Sequence, residues 1–305
     1  MENNQKVYLA ATTYSLITGL SFLFGKIALS TSNPLDLLSF RFTASFLAIT
    51  ICLSLKLVKI NFSIKRIIKV LPLALLYPLL FFAFQTYGLQ YTSSSEAGII
   101  QAVMPVFTLI LATYILKEET TLLQKLSLII SVLGVIYITL MKGSNLNFSN
   151  IRGIVFLLLS TLCYSSYSVM VKGLTKDFSS IELSFTMTTI SFLCFNAVSI
   201  TNHMKNNTIS SFFLPLTNIS FVIAVIYLGV LSSLVTSILS NYVLSKIEAS
   251  KMIVFSNLAT VISIIAGVVF LKEKIFYYHI IGSVFIIGGV VGANFLDKRH
   301  RKVKL

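Results

Sequence analysis

Charge is scarce in this chain. Only 11% of its 305 residues are Asp, Glu, Lys or Arg, 56% are hydrophobic, and the mean hydropathy is +0.89. A soluble domain of this length does not have that composition. Acidic residues are the scarcest, and Glu2, Asp36, Glu96, Glu118, Glu119, Asp177, Glu182, Glu248, Glu273 and Asp297 all fall in tails, loops or the ends of apolar runs. None sits midway along a run, where a proton relay would place a carboxylate, so the coupling ion stays open. The histidines His203, His279 and His300 are peripheral too, and no cluster of His, Asp and Glu at one face marks a membrane enzyme. Cys52, Cys163 and Cys194 lie inside apolar runs without CxxC spacing, which implies neither a disulfide framework nor a metal cluster. No catalytic residue, metal or cofactor is expected.

What the chain does have is long runs without charge. They cover Val7 to Gly25, Val70 to Ser95, Ala97 to Leu116, Gly153 to Val171, Leu183 to Asn202 and Met252 to Leu271. Each approaches or exceeds the roughly 20 residues that cross a bilayer as a helix. Leu35 to Leu57 with Arg41 inside it, Leu122 to Met141, the later part of Asn218 to Ser245, and Phe276 to Leu296 bring the expected spans to ten. Lipid leaves only helices or a closed barrel, and barrel strands alternate polar with apolar residues. These runs do not alternate, so an all-α membrane protein is expected. Val7 to Gly25 is too long for a signal peptide, has no small-residue cleavage site after it, and reads as a retained first helix.

Basic residues orient the spans. With the N-terminus in the cytoplasm, 17 Lys and Arg fall on the inner side, and only Lys142, Arg152, Lys205, Lys272 and Lys274 on the outer. The positive-inside rule therefore puts both termini in the cytoplasm of a multi-pass plasma-membrane protein. The net charge of +14 sits largely in one juxtamembrane loop and the C-terminal tail. There it fits anionic lipid as a partner better than nucleic acid.

The cluster "ILKEE" at Ile115 to Glu119 returns as "FLKEK" at Phe270 to Lys274, 155 residues later. Sliding the chain on itself by that amount aligns Tyr87 with Tyr242, Leu89 with Leu244, Ser95 with Ser250, Val106 with Val261, and Gly134-Val135 with Gly289-Val290. The register holds without a gap across three spans. Earlier in each half it shifts, with Lys26 best set on Lys172. Two copies of a five-span unit follow, residues 1–141 and 142–305. Five is odd, so the second copy enters the membrane in the opposite sense, as an inverted repeat.

In order and spacing these segments resemble the drug/metabolite transporter superfamily, in particular its ten-span EamA branch, over nearly the whole chain. The resemblance rests on "FLFGK" ending span 1, "NPLDLLSFRFTA" opening span 2, "FFAFQTYGLQYTSSSEAG", "MPVFTLILATYILKE", and the later "YLGVLSSLVTSILSNYVLSKIEASK" and "NLATVISIIAGVVFLKE". The second half departs from the first where Thr260 stands opposite Pro105 and where nothing matches Arg41. The resemblance implies a transporter, with export favoured over uptake. Its substrates would be small metabolites such as amino acids, nucleosides or organic compounds. A polytopic membrane enzyme or a non-transporting scaffold is the alternative.

"GLSFLFGKI" at Gly19 to Ile27 imitates a phosphate-binding loop but has five residues between its glycines, and Ile27 where Ser or Thr is needed. Transport is therefore expected to be secondary. Gln85, Gln101, Ser240, Asn241, Ser256 and Asn257 are polar groups inside spans 3, 4, 8 and 9, which lipid would leave unbonded. They are candidates for the substrate pathway, although bonding between helices explains such residues equally well. Pro105 is a candidate kink in the same pathway. Lys26, Asp36, Arg41 and Glu96 form a candidate outer gate, and Lys172, Glu248 and Lys251 a candidate inner one. For Lys26 and Arg41, snorkelling, ion pairing and substrate contact all remain open. Lys172 also reads as an inside-positive anchor, and Glu118 and Glu273 as helix-ending residues. Gly288 and Gly292 make a GxxxG in span 10, a close-packing device that also admits a homodimer.

Overall fold

A computed structural model describes residues 2–56, 64–115, 121–141, 148–175, 177–247 and 249–295. Among them all regular structure is helical. In chain order it comprises α1 (Glu2–Leu29), α2 (Pro34–Ser54), α3 (Ile64–Ala74), a π-helical segment (Leu75–Leu80), α4 (Phe81–Tyr91), α5 (Ser94–Gln101), α6 (Met104–Ile115) and α7 (Leu122–Met141). There follow α8 (Phe148–Leu174), α9 (Ser180–Lys205), α10 (Ile219–Ile226), a second π-helical segment (Tyr227–Val235), α11 (Thr236–Lys246), α12 (Ala249–Leu271) and α13 (Tyr277–Phe295).

Ten spans are expected from the sequence. Among the described residues seven helical stretches are long and apolar enough to cross a membrane: Gln5–Leu29, Pro34–Ser54, Arg66–Tyr91, Ser94–Ile115, Ile151–Val171, Ser180–Lys205 and Ile219–Lys246. Lys125–Ile138, Leu258–Leu271 and Tyr277–Gly289 are apolar but shorter. The expected single run from Val70 to Ser95 is broken at the Leu75–Leu80 segment, where Tyr77 leaves helical geometry and the Tyr77–Pro78 bond is cis. The expected run from Ala97 breaks between Gln101 and Met104, beside Pro105, whose ring cannot continue a regular helix.

Local chemistry starts the helices. Asn33 caps α2 by accepting from the Asp36 amide at 3.0 Å, with Pro34 in the first turn. Ser93 with Glu96 and Ser179 with Glu182 form reciprocal capping boxes on α5 and α9.

Polarity is turned inside out relative to a soluble protein. Leu9, Ile68, Leu140, Ile219, Phe270 and Val284 are each more than 60% exposed, while Ser, Thr, Tyr, Gln and Asn side chains fill much of the interior. An apolar exterior of this extent needs lipid around it. Inside, α1 packs on α12 and on the α10–α11 rod, α8 packs on α4 and α6, α2 packs on α9, and α7 packs on α13. The α7–α13 contact is close. A Cβ on Gly134 would lie 2.8 Å from the Gly282 carbonyl, and one on Gly282 would collide with Ile138. Gly288 of the expected GxxxG meets open space, so within this chain the close approach of α13 belongs to Gly282 instead.

Gly282→Val should therefore overpack the α7–α13 seam and cost about 1–3 kcal/mol, whereas Gly288→Val should stay within about 0.5 kcal/mol. Unfolding of the purified protein in detergent reads both. Equal effects would mean that α7 and α13 do not meet through this glycine pair.

Candidate functional site

Two interrupted segments, the kink at Tyr77 within Leu75–Leu80 and the π-helical Tyr227–Val235, border the centre of the molecule. Shifting Leu75–Leu80 by the 155-residue repeat gives residues 230–235, inside the Tyr227–Val235 segment. Irregular backbone thus stands at two positions 155 residues apart. A π-helix releases carbonyls from the ordinary ladder, and membrane proteins keep such backbone where protein or a cavity can use it.

Around these segments gather Tyr14 of α1, Tyr77, Phe81, Phe82 and Gln85, Tyr164 and Tyr167 of α8, and Ser240 and Asn241 of α11. All of them are buried. Tyr14 donates to the Tyr164 hydroxyl at 3.1 Å, and Tyr164 shares a 2.7 Å bond with Ser240. Tyr167 donates to the Asn241 side-chain oxygen, whose amide donates to Ser184 at 3.1 Å; Ser184 and Ser237 are 2.9 Å apart. The Tyr77 ring lies 5.3 Å from Tyr164 and 4.8 Å from Tyr167. Gln85 donates to Gln101 at 3.4 Å across the α4–α5 turn. Of the expected pathway residues, then, Gln85 and Gln101 meet each other, and Ser240 and Asn241 are held by tyrosines of α8. These tyrosines were not among the sequence candidates. The Ser256 and Asn257 side chains lie outside the described residues.

Two cavities of about 10 Å³ each, room for roughly one water, open in this centre. One is bounded by Tyr14, Thr18, Tyr77, Phe82, Gln85 and Ser232, the other by Tyr14, Thr18, Gly98, Gln101, Met104 and Thr260. Tyr14 and Thr18 line both. Amides, hydroxyls and aromatic faces can bind a small polar organic molecule, but the space admits none until the helices part.

The charged candidates find other partners than those expected. Arg41 does not snorkel: it is 3% exposed, donates from Nε to Ser233 at 2.7 Å and from Nη2 to Ser232 Oγ at 3.0 Å, and lies 3.9 Å over the Phe82 ring. Nor does it pair with Asp36. That carboxylate accepts from His203 Nε2 at 2.9 Å, from Ser199 at 2.6 Å and from the Asn33 amide at 2.7 Å. Lys26 donates to the Leu89 carbonyl at 3.0 Å. Glu96 closes its capping box and faces His279 at 3.5 Å. His279 Nδ1 accepts from the Phe276 amide, so its Nε2 carries the proton toward Glu96. Two histidines that look peripheral in the sequence are thus buried against carboxylates. Glu248 lies outside the described residues, as do the side chains of Lys172 and Lys251.

Glu273, from the second copy of the charge cluster, reaches back into the first half. Its carboxylate accepts from the Ser94 amide at 2.7 Å, the Ser95 amide at 2.9 Å and the Ser95 hydroxyl at 2.5 Å. With Ser93 and Glu96 bonded to each other, the amides of residues 93–96 at the start of α5 are all satisfied. A Cβ on Gly267 would strike the Glu273 carboxylate, so glycine is needed there. Glu118, in the first copy, lies outside the described residues. Among the described residues no group of three or more His, Cys, Asp and Glu could hold a metal ion.

The profile of the EamA-like transporter family matches residues 5–140 and again 151–295. The chain is 48% identical over 296 residues to an uncharacterized transporter of Bacillus subtilis, YcxC, covering 97% of this chain and 95% of that protein. It is 27% identical to an uncharacterized transporter of Archaeoglobus fulgidus, with coverage of 89% and 92%. A WAT1-related protein of Arabidopsis thaliana is 26% identical, with coverage of 81% and 68%. A solved crystal structure shares the fold at a TM-score of 0.63 and 15% identity, covering 97% of this chain and 99% of that one.

Breaking the buried Asp36–His203 hydrogen bond should cost about 1–3 kcal/mol, because a buried partner is left unsatisfied. Asp36→Asn and His203→Ala should each lower the unfolding temperature, and the double variant should lose clearly less than their sum. Additive losses would mean that the two side chains act independently.

Proposed function

Because the chain belongs to the EamA-like transporter family, we propose that it is a secondary transporter of the plasma membrane that moves a small metabolite outward by alternating access. The pathway runs between two inverted five-helix halves, residues 1–141 and 142–305, with both termini in the cytoplasm. One observation carries this mechanism: two helix breaks, the kink at Tyr77 and the π-helical Tyr227–Val235, stand 155 residues apart in register and flank the same enclosed polar centre. Transporters of inverted design bind substrate where such interrupted helices meet.

The packing supports the same symmetry. The first rod of the first half, α1, packs on α12 and on the α10–α11 rod; the first rod of the second half, α8, packs on α6 and α4. The partners exchange when the halves do. The family profile also falls once on each half. In this orientation the α4–α5 and α12–α13 turns lie at the outer face, where the Glu273 cap on α5 ties them together. Opening outward then requires releasing Glu273 from Ser94 and Ser95. Outward transport rests on the family likeness and the inner position of the termini on the basic residues. The substrate reaches the centre only after one face parts.

No ATP-binding loop is present in the sequence, so the energy comes from a solute or ion gradient. Comparing the media of overexpressing and deleted cells names the exported compound. Purified protein in sealed vesicles should then move that compound down its gradient, with or without a proton gradient and with no ATP. Flux that runs only when ATP is supplied to this chain alone would contradict the proposal.

A further inference from the structure

Arg41 is a buried cation without a buried anion. Its Nε and Nη2 are bonded to Ser233 and Ser232, its third nitrogen, Nη1, makes no hydrogen bond among the described residues, and no carboxylate there lies within ion-pair distance. Such an arrangement is costly. A guanidinium in low dielectric calls for an opposite charge, and neutral hydroxyls with one aromatic face are weak substitutes. Asp36, five residues before it on the same helix, is engaged by His203.

Arg41 adjoins the centre of the molecule through its contacts. Ser232 and Phe82, two of the three groups that Arg41 touches, also bound the first central cavity. One turn along α2 from Arg41, the Ser45 hydroxyl is fully buried with no hydrogen-bond partner. Ser232 belongs to the irregular segment, whose close approach to α2 depends on Gly229: a Cβ there would lie 2.5 Å from the Arg41 carbonyl. Arg41 lies just behind the wall of the first cavity, in contact with Ser232 and Phe82 that form it, and no Lys, Arg, Asp or Glu lines either cavity itself.

We propose that Arg41 is the charge-recognition group of the substrate site and that the transported compound is a small organic carboxylate. Nη1 offers two free N–H donors, and exchange of the Ser232 bond to Nη2 would complete the planar fork that suits a carboxylate. A lone arginine fits a monoanion; a phosphate dianion would call for a second cation, and neither cavity supplies one. The rest of the molecule lies among Tyr14, Tyr77, Phe81 and Phe82, with Gln85 in reach for a polar substituent. These walls favour a flat or aromatic body. In the structure described here the cavity is closed, and Arg41 rests on Ser232 and Ser233 until the anion arrives. The assignment depends on the transporter reading for its biological sense but is tested by binding alone.

The test uses the purified full chain in detergent, with phenylacetate and L-phenylalanine as carboxylate probes and their amides, phenylacetamide and L-phenylalaninamide, as partners. Equilibrium binding of each pair is compared. At least one carboxylate should bind tenfold or more tightly than its amide. Arg41→Gln should abolish that preference, and Arg41→Lys should keep part of it. Carboxylate and amide binding alike, no carboxylate binding at all, or a preference that survives Arg41→Gln would each overturn the assignment. If Arg41→Gln fails to fold, the wild-type pairs and Arg41→Lys still decide it. The two claims fail separately: carboxylate binding through Arg41 without flux in vesicles would sink transport and keep the site. Flux of a neutral compound, unchanged in Arg41→Lys, would keep transport and sink the site.

Discussion

Hydrocarbon offers no hydrogen bonds, and nearly every feature of this molecule follows from that constraint. Backbone groups must be satisfied within helices, so the chain is a set of apolar rods. Side chains that need partners must find them inside, which is why the interior rather than the surface carries the serines, threonines, tyrosines and amides. The bonds that result tie the rods together. Ser15 of α1 donates to the Phe255 carbonyl of α12 at 2.7 Å, Thr260 of α12 to the Gly98 carbonyl of α5 at 2.9 Å, and Ser263 to the Ser94 carbonyl at 2.8 Å. Each is modest alone, about 0.6 kcal/mol in measured membrane cases. Their role is to fix which faces of the rods meet.

The centre is held by weak ties around backbone that is already interrupted. The interrupted segments keep the helices from closing into smooth cylinders, and Tyr227–Val235 supplies serine hydroxyls and a carbonyl to Arg41. At one end of the molecule the ties are stronger. Charge-assisted bonds from Glu273 to the start of α5 and from Asp36 to His203 hold α12, α5, α2 and α9 in register. The structure is thus held more firmly at this end than in the middle.

Much of this was legible in the sequence for reasons of length and period. Charge-free runs of bilayer length mark helices because lipid leaves only helices or a closed barrel, and these runs do not alternate as barrel strands do. Gln85 and Gln101 were readable as interior residues from the cost of exposing amides to lipid. Their partners were not. Tyr167 meets Asn241 across 74 residues and Glu273 meets Ser94 across 179, and such pairings depend on how each rod is rotated about its axis, which a nearly uniform apolar run does not encode. The break at Tyr227–Val235 has no local signal beyond Gly229. His203 and His279 looked peripheral because they lie at helix ends, but the first turns of α2 and α5 set the buried Asp36 and Glu96 carboxylates against them. Arg41, placed at the outer end by its position in the run, turns out to be sealed between α2 and the second irregular segment.

The central claim is that one polar centre is reached in turn from both sides of the membrane. Thr18, which lines both cavities, reports on it most directly. With Cys52, Cys163 and Cys194 replaced, a cysteine at Thr18 should react with an impermeant thiol reagent both in right-side-out and in inside-out vesicles, at rates that the transported compound changes in opposite directions. Reaction from one side only under every condition, or from neither, would contradict alternating access through this centre.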